Sequence, residues 1–197
     1  MIHQEFPEVS ERAATHYDAL LKRPAAPAEL TPEFERFGER LAAALRRCLG
    51  DAWGEPALQV RSLGARATAA AELPDACPAP AATSLHGFGH DHQLLLCVDG
   101  RALLEQLDRA LGGTGEIVGE LPAELPFSAD LLGKRLEALA LTAVSSELGG
   151  IEFRAGERGA DAAAVSPYSP DAELTLLQFE ILDGGGRPWP LVLAVAP

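Results

Sequence analysis

Residues 93–115 read QLLLCVDGRALLEQLDRALGGTG, and this stretch decides the class of fold. It begins with an apolar run from Leu94 to Val98, which is typical of a strand that is buried on both faces. Asp99 follows as a helix N-cap, and apolar residues at helical spacing predict a helix from about Arg101 to Leu111. The helix ends at the glycine pair 112–113. A buried strand that leads directly into an amphipathic helix predicts an α/β domain.

Helical and extended patterns alternate on both sides of this stretch. Thr31 and Pro32 mark the start of a helix that ends near Gly50, and Ser128 precedes a longer helix that ends near Leu148. The predicted strands are 58–70, 83–88, 93–98, 151–154, 162–165, 173–182 and 189–195. A helix followed by strands at 32–70 and again at 128–166 indicates a pseudo-twofold domain. We expect a mixed sheet packed by about three long helices.

Composition limits the classes of partner. The chain has 197 residues and a net charge of −13, with no basic patch, so neither nucleic acid nor an anionic membrane surface is an expected partner. No apolar run approaches the roughly 20 residues of a membrane span, and the N-terminus lacks a secretory pattern, which predicts a cytoplasmic protein. Cys48, Cys77 and Cys97 are widely spaced and are predicted to be buried thiols. Residues 1–31 are polar and broken by prolines, which predicts a flexible arm before a domain at 32–197.

Several features together resemble the flagellar motor switch family FliM, whose middle domain belongs with the CheC and CheX chemotaxis phosphatases. They are the strand, helix and GGxG order of 93–115, the helix with Phe37, Leu41 and Leu45, the long helix after Phe127, and the segment FRAGERGADAAAVSPYSPDAELTLLQFEI at 153–181. The resemblance covers about residues 32–197 and implies a CheC-like fold.

The resemblance also implies a binding site. In the FliM family the glycine loop contacts the protein FliG, and the matching positions here are Gly112, Gly113, Thr114 and Gly115. Glycines permit a positive φ and a close approach of another backbone, but glycine at the end of a helix is also an ordinary cap. No Lys followed by Ser or Thr follows the loop, so a phosphate cradle is disfavoured. The acidic residues Glu116, Glu120 and Glu124 either form a solvated surface or attract a basic partner.

As a family member, the protein would be a C-ring component at the cytoplasmic face of the flagellar basal body. It would couple chemotaxis signalling to rotor direction through FliG-like, FliM-like and FliN-like subunits. FliM continues into a C-terminal SPOA domain related to FliN, which this chain is expected to lack. FliM also begins with a peptide that binds phosphorylated CheY. The residues that resemble this peptide here are Asp18, Ala19, Leu20 and Leu21.

An enzymatic role is the alternative to this adaptor role. CheC-type phosphatases use a Glu and an Asn three residues apart on a helix to position water against an aspartyl phosphate. With Ser128 as the leading residue, Leu132 and Arg135 take these two positions, and in the first helix Glu35 precedes Gly38. The whole chain contains no asparagine. We therefore predict no enzyme; the alternatives are a response-regulator phosphatase that uses other residues, and a diverged stand-alone domain.

A histidine cluster is the remaining candidate for chemistry. His86, His90, Asp91 and His92 lie within seven residues, and alternate positions on a strand can place two imidazoles on one metal ion. The cluster coincides with a predicted turn, where exposed polar residues are expected, and no cysteine is near in sequence. We predict neither a metal site nor a cofactor.

Overall fold

The structure is a computed structural model that describes residues 27–53, 56–77, 79–182 and 188–196. Its helices are α1 (Pro27–Trp53), α2 (Leu73–Ala76), α3 (Gly100–Ala110), α4 (Phe127–Glu147) and α5 (Ala162–Val165). Its strands are β1 (Gln59–Ala69), β2 (Ala81–Phe88), β3 (His92–Asp99), β4 (Phe153–Gly159), β5 (Glu173–Leu182) and β6 (Trp189–Val195). Within the described ranges, no helix has the length and apolar character needed to cross a membrane.

The strands form one six-stranded sheet in the order β1-β5-β6-β3-β2-β4. Exchanging β1 with β4, β2 with β5 and β3 with β6 gives the same strand order read from the opposite edge of the sheet. The two halves are therefore related by a pseudo-twofold axis. The axis passes through the central pair Leu96 and Leu193. The predicted α/β class, the pseudo-twofold layout and the three long helices are confirmed. The sheet is antiparallel rather than mixed, because a twofold axis normal to a sheet makes its central strands antiparallel and hairpins extend the pattern.

The two edge strands of the sheet are both irregular. The register of β1 against β5 shifts between Ser62 and Gly64, and the register of β4 against β2 shifts between Ser84 and His86. These two shifts occupy equivalent places in the two halves. Because a bulge twists an edge strand and interrupts its row of free backbone groups, both edges are protected from the addition of further strands.

The main core lies between one face of the sheet and the three long helices. Two helical glycines let α1 and α4 approach this face closely. A Cβ atom at Gly38 would lie 2.8 Å from Ser62 Oγ, and one at Gly133 would lie 2.8 Å from Ala82 Cβ. Close approach of both helices buries leucines on each side of the interface, among them Leu41, Leu45, Leu96, Leu136 and Leu193.

A smaller core covers the other face of the sheet, under α2 and α5. It holds Cys77 and Cys97, which are free and buried as predicted, whereas Cys48 is half-buried. The predicted strand at 162–165 is wrong, because Asp161 Oδ1 accepts a hydrogen bond from the Ala163 amide and starts helix α5 in an alanine-rich segment.

Two element boundaries also differ from prediction. Helix α1 begins at Pro27 instead of near Thr31, and Pro32 lies inside it. Pro27 suits the first position because the N–H that proline lacks has no helical partner there. The strand predicted at 151–154 is β4, which runs from Phe153 to Gly159. The predicted arm at residues 1–31 lies mostly outside the described residues.

Candidate partner-binding loop

Helix α3 positions the glycine loop, and both of its ends are capped. At its start, Asp99 Oδ1 accepts hydrogen bonds from the amides of Arg101 at 2.7 Å and Ala102 at 3.2 Å, as the sequence predicts for a cap. At its end, the amide of Gly112 donates to the Arg109 carbonyl, and the amide of residue 113 donates to the Asp108 carbonyl. This pair of bonds, with φ of +90° at Gly112, is a Schellman cap.

The rest of the loop folds against the last turn of α3. The amide of Gly115 donates to Asp108 Oδ2 at 2.8 Å. A Cβ atom at Gly113 would lie 2.1 Å from the same carboxylate oxygen, and one at Gly115 would lie 2.7 Å from Arg109 Cγ. The internal packing therefore leaves no room for side chains at these two glycines. The Asp108 carboxylate holds the loop in one shape.

The outer surface of this loop is open to solvent. Gly112, Gly113 and Thr114 are exposed, whereas Gly115 is buried. Nothing lies within 4 Å of a Cβ atom built on Gly112, and the neighbouring Leu111 side chain is 80% exposed. The loop thus offers a partner a fixed stretch of bare backbone beside an apolar side chain. The other predicted binding segment, Asp18 to Leu21, lies outside the described residues.

After the loop, the chain runs back along α3 towards its start. Arg101 Nη1 donates to the Ile117 carbonyl at 3.1 Å, and the Leu125 side chain packs against Gly100. Residues 111–126 contain Glu116, Glu120 and Glu124 and no Lys or Arg. All three glutamates are exposed.

A half-buried polar cluster connects β2, α4 and β4, and its charged partners were not predicted. We call it the His86 cluster; its members are Ser84, His86, Asp130, Lys134, Glu137 and Arg158. His86 Nε2 lies 3.2 Å from Glu137 Oε1 and 2.9 Å from Ser84 Oγ. Glu137 also forms an ion pair with Arg158. Arg158 extends the chain of contacts to Asp130, which pairs with Lys134 at 2.8 Å.

Burial and neighbouring charge set the protonation of this cluster. Burial lowers the pKa of His86, and the positive charge of Arg158 lowers it further. The hydrogen bond from Lys134 lowers the pKa of Asp130. Although a serine, a histidine and a carboxylate meet here, both partners contact the same imidazole nitrogen, and Ser84 is buried. A nucleophile relay needs the two ring nitrogens to serve different partners, so the cluster is not a catalytic triad.

The structure does not bring the four predicted metal-ligand candidates together. His86 is buried against Glu137, whereas His92 stacks on Phe88 with ring centroids 5.4 Å apart. His90 and Asp91 lie in the turn between β2 and β3. Among the residues that the structure describes, no three His, Cys, Asp or Glu side chains are placed to share a metal ion.

The helix positions that match those of a CheC-type phosphatase carry residues with other roles. Gly38 faces the sheet and is buried, so a longer side chain there would not reach solvent. Arg135 donates from Nη2 to the Ala52 carbonyl at 3.1 Å, which joins α4 to the end of α1. Neither Glu35 nor Leu132 is therefore followed three residues later by an asparagine.

Comparison with known proteins gives a match only at the level of structure. No family model and no curated protein sequence matches the chain. A chain in a FliG–FliM complex from H. pylori superposes with a TM-score of 0.74 at 12% identity, over 85% of this chain and 93% of that chain. The FliM middle domain from Vibrio alginolyticus gives 0.69 at 16% identity, over 84% and 93%. The chain has the fold of a FliM middle domain. FliY from Thermotoga maritima is similar too, with a TM-score of 0.68 at 12% identity over 88% and 92%.

Within this FliM fold the two halves fill one equivalent position in opposite ways. His86 pairs with Leu94 and Ala155, and Phe179 pairs with Leu191 and Ser62 in the same arrangement. Phe179 is fully buried in the apolar core. The His86 cluster therefore stands where the other half places an aromatic ring. His86 was noticed in the sequence, but nothing local pointed to its partners Glu137 and Arg158.

Proposed function

We propose that this protein is a non-enzymatic component of a flagellar motor switch and binds a FliG-like protein through the loop Gly112, Gly113, Thr114 and Gly115. The observation that carries the proposal is the FliM middle-domain fold, which includes similarity to a chain from a FliG–FliM complex. The exposed face of the loop supports its position in the contact.

The geometry of the loop suits a contact made by backbone. With no side chain at Gly112, a partner can approach the main chain to van der Waals distance. The bond from the Gly115 amide to Asp108 fixes the loop before binding, so little conformational entropy is lost on association. A rigid contact of this kind transmits a movement of the partner to the sheet without a catalytic pocket.

The proposal includes the further partners of such a ring. Neighbouring FliM-like and FliN-like subunits would lie beside this domain at the cytoplasmic face of the basal body. Phosphorylated CheY would be recognised by Asp18, Ala19, Leu20 and Leu21, and the protein would couple that signal to rotor direction. The occupants of the two phosphatase positions, Leu132 and Arg135, support an adaptor rather than a phosphatase.

Binding of the purified protein to the FliG-like protein of the same cell, measured by calorimetry, tests the loop contact. Thr114→Arg adds a long charged side chain at an exposed position, and we expect affinity to fall by more than about tenfold. Thr114→Ser is the matched control, because it keeps the hydroxyl that accepts from the Glu116 amide. Gly113 is unsuitable, since any side chain there would displace Asp108. Equal binding by the Arg variant would exclude the loop from the contact.

A phosphatase assay tests the non-enzymatic part of the proposal. The full chain is mixed with a phosphorylated CheY-like protein, and loss of the aspartyl phosphate is followed against its spontaneous rate. We expect the two rates to be equal. A faster loss that depends on the concentration of this protein would favour the alternative of a phosphatase with other catalytic residues.

A further inference from the structure

Two of the three cysteines lie side by side in the smaller core. Cys77 directly follows helix α2, and Cys97 lies on strand β3. Both are buried, and a hydrogen bond joins their side chains. The whole of β2 separates them in the sequence, so the packing of α2 on the sheet brings the two thiols together.

The hydrogen bonds of the pair distinguish its two sulfurs. From the neighbouring strand β2, Thr83 Oγ1 donates to Cys97 Sγ at 3.7 Å. The hydrogen bond with Cys97, together with burial, raises the pKa of Cys77, and the charge of Arg66 opposes this only weakly. Cys77 therefore keeps its proton and donates it to Cys97. Cys97 is the sulfur placed to react as a thiolate, which is the nucleophilic form of cysteine.

A narrow crevice gives small molecules access to the pair. Its lining includes both cysteines together with Asp99 and Pro190, which are half-buried and connect it with the surface. The crevice has room for a molecule of about the size of water. Hydrogen peroxide is only slightly larger than water and can enter, whereas bulky thiol reagents are excluded.

We propose that Cys77 and Cys97 form a redox-active dithiol, which hydrogen peroxide converts into an intramolecular disulfide. The Cys97 thiolate attacks one peroxide oxygen, the O–O bond breaks, and a sulfenic acid forms. The hydroxide that leaves takes up the proton that Cys97 released. The Cys77 sulfur then attacks the Cys97 sulfur, the S–S bond forms, and the S–O bond breaks. The hydroxyl leaves as water with the proton of Cys77. The two thiols lose two electrons, and the peroxide is reduced to two molecules of water.

The disulfide would tie the end of α2 to the middle of the sheet. Cys97 pairs with Thr83 in β2 and with Val192 in β6, so its strand is held on both sides. A cross-link across the intervening β2 segment restricts the unfolded chain, and we expect the oxidised protein to be more stable than the reduced protein. Cys48 packs against the main core on the opposite face of the sheet and cannot reach either thiol.

The test treats the reduced full chain with an equimolar amount of hydrogen peroxide, blocks the remaining thiols under denaturing conditions, and maps the peptides by mass spectrometry. We expect one chain to contain a peptide pair that joins Cys77 to Cys97. Tm should rise by more than about 5 °C and return to its starting value with dithiothreitol. Cys48→Ser is the matched control, because it keeps the pair and should form the same link.

Two alanine variants test which sulfur attacks the peroxide. In Cys77→Ala, the Cys97 sulfenic acid has no thiol partner, and dimedone should trap it. In Cys97→Ala, we expect no trapped product at Cys77.

The wild-type measurement decides the proposal even if a variant fails to fold. Free Cys77 and Cys97 thiols, at a peroxide concentration that oxidises Cys48, would overturn it. So would a disulfide from either thiol to Cys48 of a second copy of the chain. Trapping at Cys77 in Cys97→Ala, with none at Cys97 in Cys77→Ala, would overturn the assignment of the nucleophile. None of these results depends on a FliG-like partner.

Discussion

Breaking the His86 cluster should destabilise the protein, whereas replacing the whole cluster should leave its stability nearly unchanged. Glu137→Ala removes the carboxylate that contacts both His86 and Arg158. The triple variant His86→Phe/Glu137→Ala/Arg158→Ala removes every charge at the centre of the cluster and supplies the aromatic ring that Phe179 provides in the other half. The comparison asks whether the cluster holds the fold together or is tolerated by it.

The structure sets the size of both effects. Removing one partner of a fully buried ion pair costs about 3–5 kcal/mol, because the remaining charge is buried without compensation. The side chain of Arg158 is 27% exposed and can turn towards water, so we expect Glu137→Ala to cost about 2 kcal/mol. Replacing a whole buried pair by apolar residues is often neutral or stabilising. We therefore expect the triple variant to be within about 1 kcal/mol of wild type.

Urea unfolding at pH 7.5 measures the free energies, and thermal unfolding provides a second readout. For a domain of this size, a loss of 2 kcal/mol lowers Tm by about 4–8 °C. A triple variant as unstable as Glu137→Ala would refute the reasoning, since the cluster would then be needed for packing. An unchanged Glu137→Ala variant would show that Glu137 does not balance a buried charge.

The same variants differ in their response to pH. The pKa of His86 in the folded protein is below its usual value of 6.5, so on acidification the unfolded chain binds this proton first. The contribution of His86 is complete above pH 6.5 and is lost as the pH falls from there towards the lower folded pKa. We expect the wild type to lose stability over this range and the triple variant to lack this component.

Three further substitutions or reactions test the surroundings of α3 and the second core. Asp99→Ala removes the cap that accepts two backbone hydrogen bonds, and chemical denaturation should show a loss of about 1 kcal/mol. Gly100→Ala would place a Cβ atom 2.1 Å from the Pro80 carbonyl oxygen, and the same measurement should show a loss of about 1–3 kcal/mol. The hydrogen bond with Cys97, together with burial, raises the pKa of Cys77, so a thiol reagent should modify half-buried Cys48 well before Cys77; equal rates would contradict this.

Local patterns were enough to predict much of the secondary structure. The last two strands, 173–182 and 189–195, were predicted with their observed bounds, because both are rich in apolar residues and flank a Gly-rich turn segment. Asp99 was recognised as a cap because the cap, the helix and its apolar stripe are contiguous. The segment 162–165 was misjudged, since four residues carry too little periodicity to separate a buried strand from one helical turn.

The position of the glycine loop after a helix was predicted from the sequence, but the packing of its glycines was not. A glycine pair after a helix predicts a cap, and Gly112 is one. Asp108 and Arg109 leave no room for side chains at Gly113 and Gly115. This packing depends on how the loop folds back against the helix. The exposure of Phe127 was not predicted either.

By itself, the sequence determined the α/β class, the order of elements and the place of the glycine loop, because periodicity, caps and turn residues act between near neighbours. The tertiary structure alone decided that Glu137 and Arg158 meet His86. Such contacts join residues that are distant in the chain, and they depend on which strands become neighbours in the sheet.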